Sequence, residues 1–210
     1  MRRIALLAGF LSLLAIGSTP GPAQADAIEV REVALRAVEE GMVLDADFDF
    51  ELSPRLEEVV ANGVPLYFRV EFELVRPRWY WFDQQAASRL LQLRLSYHAL
   101  SRHYRLSTGV PPQQNLLQQN FASLEEALNV LKRVRNWLVV ERSVGFSRAD
   151  YQAAVRMRLD TALLPKPFQL SALTSRELHL ESPWRRFLVH EPQQMPAILE
   201  YRAPARPLGK

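Results

Sequence analysis

The sequence predicts a mainly β fold, an antiparallel β-sandwich-like domain with one inserted amphipathic helix and a short connector helix. Three observations carry the prediction. Apolar and polar residues alternate at period two in segment after segment, the segments are joined by connections of hairpin length, and only two stretches show helical spacing. The densest segment lies within Val64 to Asp83. There Leu66, Phe68, Val70, Phe72 and Leu74 alternate with Tyr67, Arg69, Glu71 and Glu73, so one set faces a core and the other faces away from it. A parallel βαβ sheet needs more helices between strands than this chain offers. An α+β sheet with the helix laid across one face is the alternative.

The chain is 210 residues long, a length suited to one domain. Its first 25 residues read as a signal peptide: Arg2 and Arg3 are followed by an apolar run from Ile4 to Ile16 and by Ala23-Gln24-Ala25, a cleavage pattern. As a helix that run reaches about 20 Å, against about 30 Å of hydrocarbon to be crossed. Export to the periplasm with cleavage after Ala25 is therefore expected. An uncleaved anchor is the alternative and the only membrane attachment expected. No cysteine is present, which rules out a lipidated cysteine and a disulfide framework. Removing Arg2 and Arg3 from the 26 basic residues leaves 24 against 23 acidic ones, a net charge of +1. With charges of both signs interspersed, there is no concentrated basic face for nucleic acid.

The elements follow in order. Ile28 and Val30, then Val33, Leu35 and Ala37, form a first strand with a bulge where the phase slips at Arg31-Glu32, and Glu39-Glu40-Gly41 is a turn. Leu44, Ala46, Phe48, Phe50 and Leu52 then alternate with Asp45, Asp47, Asp49 and Glu51, a core face backed by an acidic ladder. The ladder resembles a calcium loop only in its acids. The sixth and twelfth positions, where such a loop needs glycine and a bidentate acid, are Phe50 and Leu56. Pairing of the ladder to Arg69 or Arg94 is expected instead. Ser53-Pro54 opens the connector helix and Asn62-Gly63 closes it.

After the central strand, Leu91, Leu93, Leu95 and Tyr97 mark another, which Arg102, Tyr104 and Leu106 continue past a phase break at Ala99 to Ser101. Gly109-Val110-Pro111-Pro112 is a turn, and residues 115–122 form a short strand. Ser123 and Glu126 fit a capping box, and Leu124, Ala127, Leu128, Leu131 and Val134 recur along one face, predicting a helix to about Asn136. Trp137 to Val140 and Tyr151 to Leu159 are strands, with a loop at Gly145. Half of the 14 prolines lie between Pro165 and Pro207, so ordered ladders there are sparse. One strand is expected at Glu177 to Glu181, with Trp184, Phe187 and Leu188 docking after it. A single domain thus spans residues 26–189, followed by a flexible Pro-rich tail at 190–210.

Several of these stretches together resemble a known family. They are G-V-P-L-Y-F-R-V-E-F-E-L (Gly63 to Leu74), R-x-R-W-Y-W-x-D (Arg76 to Asp83), L-S-Y-H-A-L-S-R-H-Y-R-L (Leu95 to Leu106), F-A-S-L-E-E-A-L (Phe121 to Leu128) and L-D-T-A-L-L-P-K-P-F-Q (Leu159 to Gln169). In this order they are similar to the proteobacterial domain of unknown function 4390. The resemblance implies an exported protein, with no activity, ligand or catalytic residue to carry over, and an association with a sensor kinase of the nitrogen-regulation type and hence with envelope signalling.

Signatures of chemistry are few. G-x-S-x-G, H-E-x-x-H, G-x-x-x-x-G-K-[ST] and G-x-G-x-x-G are all missing, and no cofactor or metal is expected. His98 and His103 flank the phase break without a third ligand at a supporting interval, and His179 and His190 stand apart. The most distinctive cluster is Arg76, Arg78, Trp79, Tyr80, Trp81 and Asp83. Packing explains it if Trp79 and Trp81 cap the core and an arginine pairs with Asp83 or the acidic ladder. Recognition explains it if the aromatic rings are exposed, because Trp, Tyr and Arg supply much of the binding energy at interfaces. Three functional expectations follow: a non-enzymatic domain binding a periplasmic or membrane protein or peptide, a carbohydrate-binding module, and a hydrolase using carboxylates such as Asp83 and Asp160.

Overall fold

The computed structural model describes residues 28–76, 84–110, 113–142, 151–169, 178–189 and 199–202. The expected signal peptide, the loop at Gly145 and His190 lie outside the described residues. Alternation becomes sheet as read. β1 (Glu29–Val38) and β2 (Gly41–Asp49) form a hairpin around the Glu39-Glu40 turn, with a register shift between Val30 and Glu32 where the sequence slips phase. Gly41 has φ +148° and sits against the Val140 carbonyl, a place for a residue without Cβ. α1 (Pro54–Ala61) is capped by Ser53, whose hydroxyl accepts a hydrogen bond from the Leu56 N–H at 3.3 Å. It ends at Asn62, and Gly63 follows with φ +84°. Its buried residues are Leu56, Val59 and Val60.

β3 (Leu66–Arg76) is the pivot of the fold, with Leu66, Phe68, Val70, Phe72 and Leu74 all at 0% exposure. It pairs antiparallel with β4 (Gln84–His98) on one side and β8 (Tyr151–Leu159) on the other. With β5 (His103–Val110), β6 (Gln113–Phe121) and β9 (Arg185–Val189) these make a six-stranded sheet of order β6-β5-β4-β3-β8-β9. A second sheet of order β10-β1-β2-β7 adds β7 (Arg133–Glu141) and β10 (Leu199–Arg202). Buried residues of both sheets belong to one hydrophobic cluster, Val33, Leu35, Leu44 and Phe48 from the four-stranded sheet and Phe68, Phe72, Leu95 and Met157 from the six-stranded one. That shared interior makes the arrangement sandwich-like. Phe50 and Phe68 stack across it with ring centroids 5.5 Å apart, and an Arg89–Glu141 ion pair at 2.9 Å ties β4 to β7 at the surface.

Four expectations are corrected. Tyr104 and Leu106 do not continue the strand of Leu95 and Tyr97; residues 99–102 reverse the chain, and β5 returns along β4 with Tyr97 opposite Tyr104. The turn carries no glycine, proline or asparagine and uses Arg102 at φ +53°, a conformation that few side chains advertise. The helix α2 (Leu124–Leu131) stops well short of Asn136. The Lys132 carbonyl already accepts from the Phe48 N–H at 2.9 Å, and β7 starts at Arg133. Val134, buried in β7 and three residues past Leu131, continues the helical spacing by coincidence, and Asn136 at φ +52° bulges the strand that it belongs to. Along β8, the strand expected at Glu177 to Glu181 is, over the described residues 178–181, an isolated bridge between Glu181 and Arg158, Glu177 lying outside the described residues. The ladder resumes as β9 beyond Pro183, which has no N–H to donate. Finally, the stretch expected to be a flexible tail contains β10, which pairs with β1 through Leu35 and Leu199 among others.

Two further boundaries differ in detail. β4 begins at Gln84, well before the Leu91 alternation that marks it in the sequence. Gly109 and Val110 belong to β5, and Val110 pairs with Gln113 across Pro111-Pro112, which lie outside the described residues.

Candidate functional site

Arg76, the last residue of β3, is directly paired with Gln84, the first of β4. The other members of the sequence-predicted cluster, Arg78, Trp79, Tyr80, Trp81 and Asp83, lie outside the described residues. The Arg76–Gln84 pairing nevertheless brings both ends of that segment together, at the end of the two long strands in the middle of the six-stranded sheet. Neighbouring strands support this end of the hairpin. Val75 pairs with Gln152 of β8, and Tyr151 beside it pairs with Val189 of β9.

The outward face of β3 leads up to this tip and carries a charge network that sequence reasoning did not assemble. Glu71 accepts from Arg156 Nε at 2.6 Å and from Arg158 Nε and Nη2 at 3.1 and 3.0 Å. The two arginines are two residues apart on β8, and strand periodicity puts both on the face of Glu71. Burial pushes the Glu71 carboxyl up, but the hydrogen bonds and charges of Arg156 and Arg158 together outweigh it and hold the group below the ordinary glutamate value. Arg156 in turn lies over the Trp184 ring at 4.5 Å, and Arg94 lies over Tyr67 at 5.8 Å. Period two in 151–159 showed that Arg156 and Arg158 share a face; nothing local showed which acid they would meet.

Asp160 is buried at 5% exposure, paired with Arg69 at 3.3 Å and accepting the Ala162 N–H at 3.2 Å. It holds the 3-10 turn Thr161–Leu163 against β3, a structural use of a carboxylate that the sequence offered as a catalytic candidate alongside Asp83.

The acidic ladder of β2 pairs differently from expectation. Asp45 binds Arg36 at 2.7 Å and accepts the Asn136 N–H at 2.7 Å, Asp47 binds Arg135, and Asp49 binds Arg31 and, at 3.4 Å, Lys132. Arg69 and Arg94 belong to the other sheet, which is why neither reaches it. Burial raises the Asp49 carboxyl, and Arg31 and Lys132 more than reverse that shift, leaving it below the ordinary aspartate value. A polar hollow of about 220 Å³ lies on this face, lined by Glu32, Ala34, Asp45, Ala46, Asp47 and Arg135. His98 and His103 are exposed and directly opposed at the base of the β4–β5 turn, with His103 Nδ1 against the Ser101 carbonyl. Among the described residues, no group of three His, Cys, Asp or Glu side chains could hold a metal ion, and no helix is long and apolar enough to cross a membrane.

No curated protein and no solved structure matches the chain. One family model does match, over residues 25–188, a span that takes in β1 to β8 and most of β9. The chain belongs to the family described as domain of unknown function DUF4390.

Proposed function

We propose that this chain is an exported, non-enzymatic β-domain that binds a protein or peptide partner in the periplasm through the segment Arg76 to Asp83, with a role in envelope signalling. The observation that supports the reading is the Arg76–Gln84 pairing, which makes the segment the tip of a long hairpin. On one side β8 pairs with β3 up to Val75, next to Arg76, and loops carried on a rigid scaffold are where recognition residues concentrate. The tip is rich in Trp, Tyr and Arg, the side chains that dominate interface hot spots.

Co-purification from periplasmic extract tests the reading. The wild-type chain is expected to recover a partner that the Trp79→Ala/Trp81→Ala chain does not. Identical recovery overturns the role of the tip. A tryptophan fluorescence shift on an envelope glycan, without protein recovery, favours a carbohydrate ligand instead. N-terminal sequencing of the exported chain is expected to begin at Asp26.

A further inference from the structure

The six-stranded sheet ends in β6, and the four strand edges of the molecule are not guarded alike. β7 carries Arg133, Arg135 and Glu141 and is broken by the left-handed Asn136; β9 opens on Arg185-Arg186; β10 has four residues, among them Glu200 and Arg202. Charge, brevity and bulges are the usual means of keeping an edge from pairing with another chain. β6 is nine residues long, Q-Q-N-L-L-Q-Q-N-F, with no ionisable residue and no proline. Among the described residues it pairs only with β5. Leu117, Gln118, Gln119 and Asn120 are exposed, Leu117 at 55%.

We propose that two copies of this chain pair antiparallel through the edge of β6 that no described strand covers, about a two-fold axis at Gln119. This goes beyond the hairpin-tip reading and does not depend on it. Residues 117–121 are the regular part of β6, paired in unbroken register with β5 from Thr108 to Tyr104, whereas the register shifts before Leu117. Side chains alternate between sheet faces, so a two-fold pairing that keeps each face continuous must oppose residues of like parity. Centred on Gln119, it sets Gln119 opposite itself, Gln118 opposite Asn120 and Leu117 opposite Phe121. The exposed Leu117 of each copy then meets the ring of a residue packed at the margin of the other's core, and every opposed polar pair is an amide. A second copy is therefore an uncharged and apolar match for this edge, and closed two-fold symmetry uses up the β6 edge of both copies, leaving only the guarded edges exposed.

The absence of cysteine makes the register directly testable. Residues opposed across an antiparallel pair have Cα atoms about 4.5–5.5 Å apart, within the reach of a disulfide at about 4.4–6.8 Å. The Gln119→Cys chain is expected to form a covalent dimer on mild oxidation. The Gln118→Cys chain, whose two thiols would sit two residues out of register at about 8 Å, is not. In sedimentation equilibrium the wild-type chain is expected to dimerise reversibly, and Gln119→Lys, which opposes two like charges, to weaken the dimer about fivefold or more. Thermal unfolding of Gln119→Lys at a concentration where both chains are monomeric is expected to be unchanged, because the site is exposed. A wild-type chain that stays monomeric, or equal cross-linking at positions 118 and 119, overturns the proposal. Loss of the periplasmic partner without loss of the dimer would instead bear on the hairpin tip alone.

Discussion

The sharpest test of the fold is a double-mutant cycle on Phe50 and Phe68, because Phe50 directly follows β2 of one sheet and Phe68 lies in β3 of the other, so the rings meet only where the two sheets share one interior. Phe68 has 0% exposure and Phe50 5%, with centroids 5.5 Å apart and ring planes at 28°. Truncating Phe68 to alanine removes a fully buried ring at the centre of β3. Such a change costs about 3–5 kcal/mol in transfer free energy and residual cavity. For a domain of this size it lowers the Tm by about 6–20 °C. Phe50→Ala is expected to cost slightly less, since its ring is marginally wetter. Phe→Leu at each site keeps the chain folded for the cycle, at about 1–2 kcal/mol each. Urea unfolding of the two singles and the double should return a coupling of about 0.5–1.5 kcal/mol, the excess of an aromatic pair over its area. Additivity within about 0.3 kcal/mol, with Phe68→Ala costing under about 1 kcal/mol, would refute a shared interior.

Two further outcomes follow from the charge network and the first turn. Glu71 has its folded pKa held below the ordinary value of 4.5, so its pairing with Arg156 and Arg158 stabilises the fold above that value and is lost as pH falls through the depressed one. Glu71→Gln should therefore cost about 1–3 kcal/mol at pH 7, discounted for arginines that still reach water. It should also flatten the acid limb of stability against pH, and an acid limb as steep as wild type would count against the network. Gly41→Ala would drive a Cβ to 2.0 Å from the Val140 carbonyl at φ +148°. The expected loss is about 2–4 kcal/mol by thermal unfolding, and a loss below about 1 kcal/mol would mean the turn relaxes freely.

Much of this molecule was legible in local pattern. The strand of Leu66 to Leu74, the bulge at Arg31-Glu32, the Ser53 and Ser123 caps and the Asn62-Gly63 stop each depend on residues within a few positions of one another, and each has the expected form. Where reading failed, two local patterns had the same appearance. A strand that opens with Val134 three residues past the helical Leu131 looks like one more helical turn, and a hairpin turned by Ala99-Leu100-Ser101-Arg102 looks like a strand that stumbles.

The candidate site divides in the same way. Composition alone singles out Arg76 to Asp83, because aromatic and arginine residues that dense are visible in any order of strands. That its ends meet as a hairpin follows from the Arg76–Gln84 register, which local sequence only suggests.

What the amino-acid order determined by itself was therefore which face of each strand is apolar and where most segments begin and end, since these depend on alternation and on capping chemistry close at hand. What only the tertiary structure decided was strand order, and with it which charge meets which: Glu71 with Arg156 and Arg158, Asp160 with Arg69, and the β2 ladder with Arg36, Arg135, Arg31 and Lys132. Any outward-facing arginine satisfies the local rules equally well. The choice among them is made by the global packing that buries Phe50 against Phe68, to which surface charges contribute little.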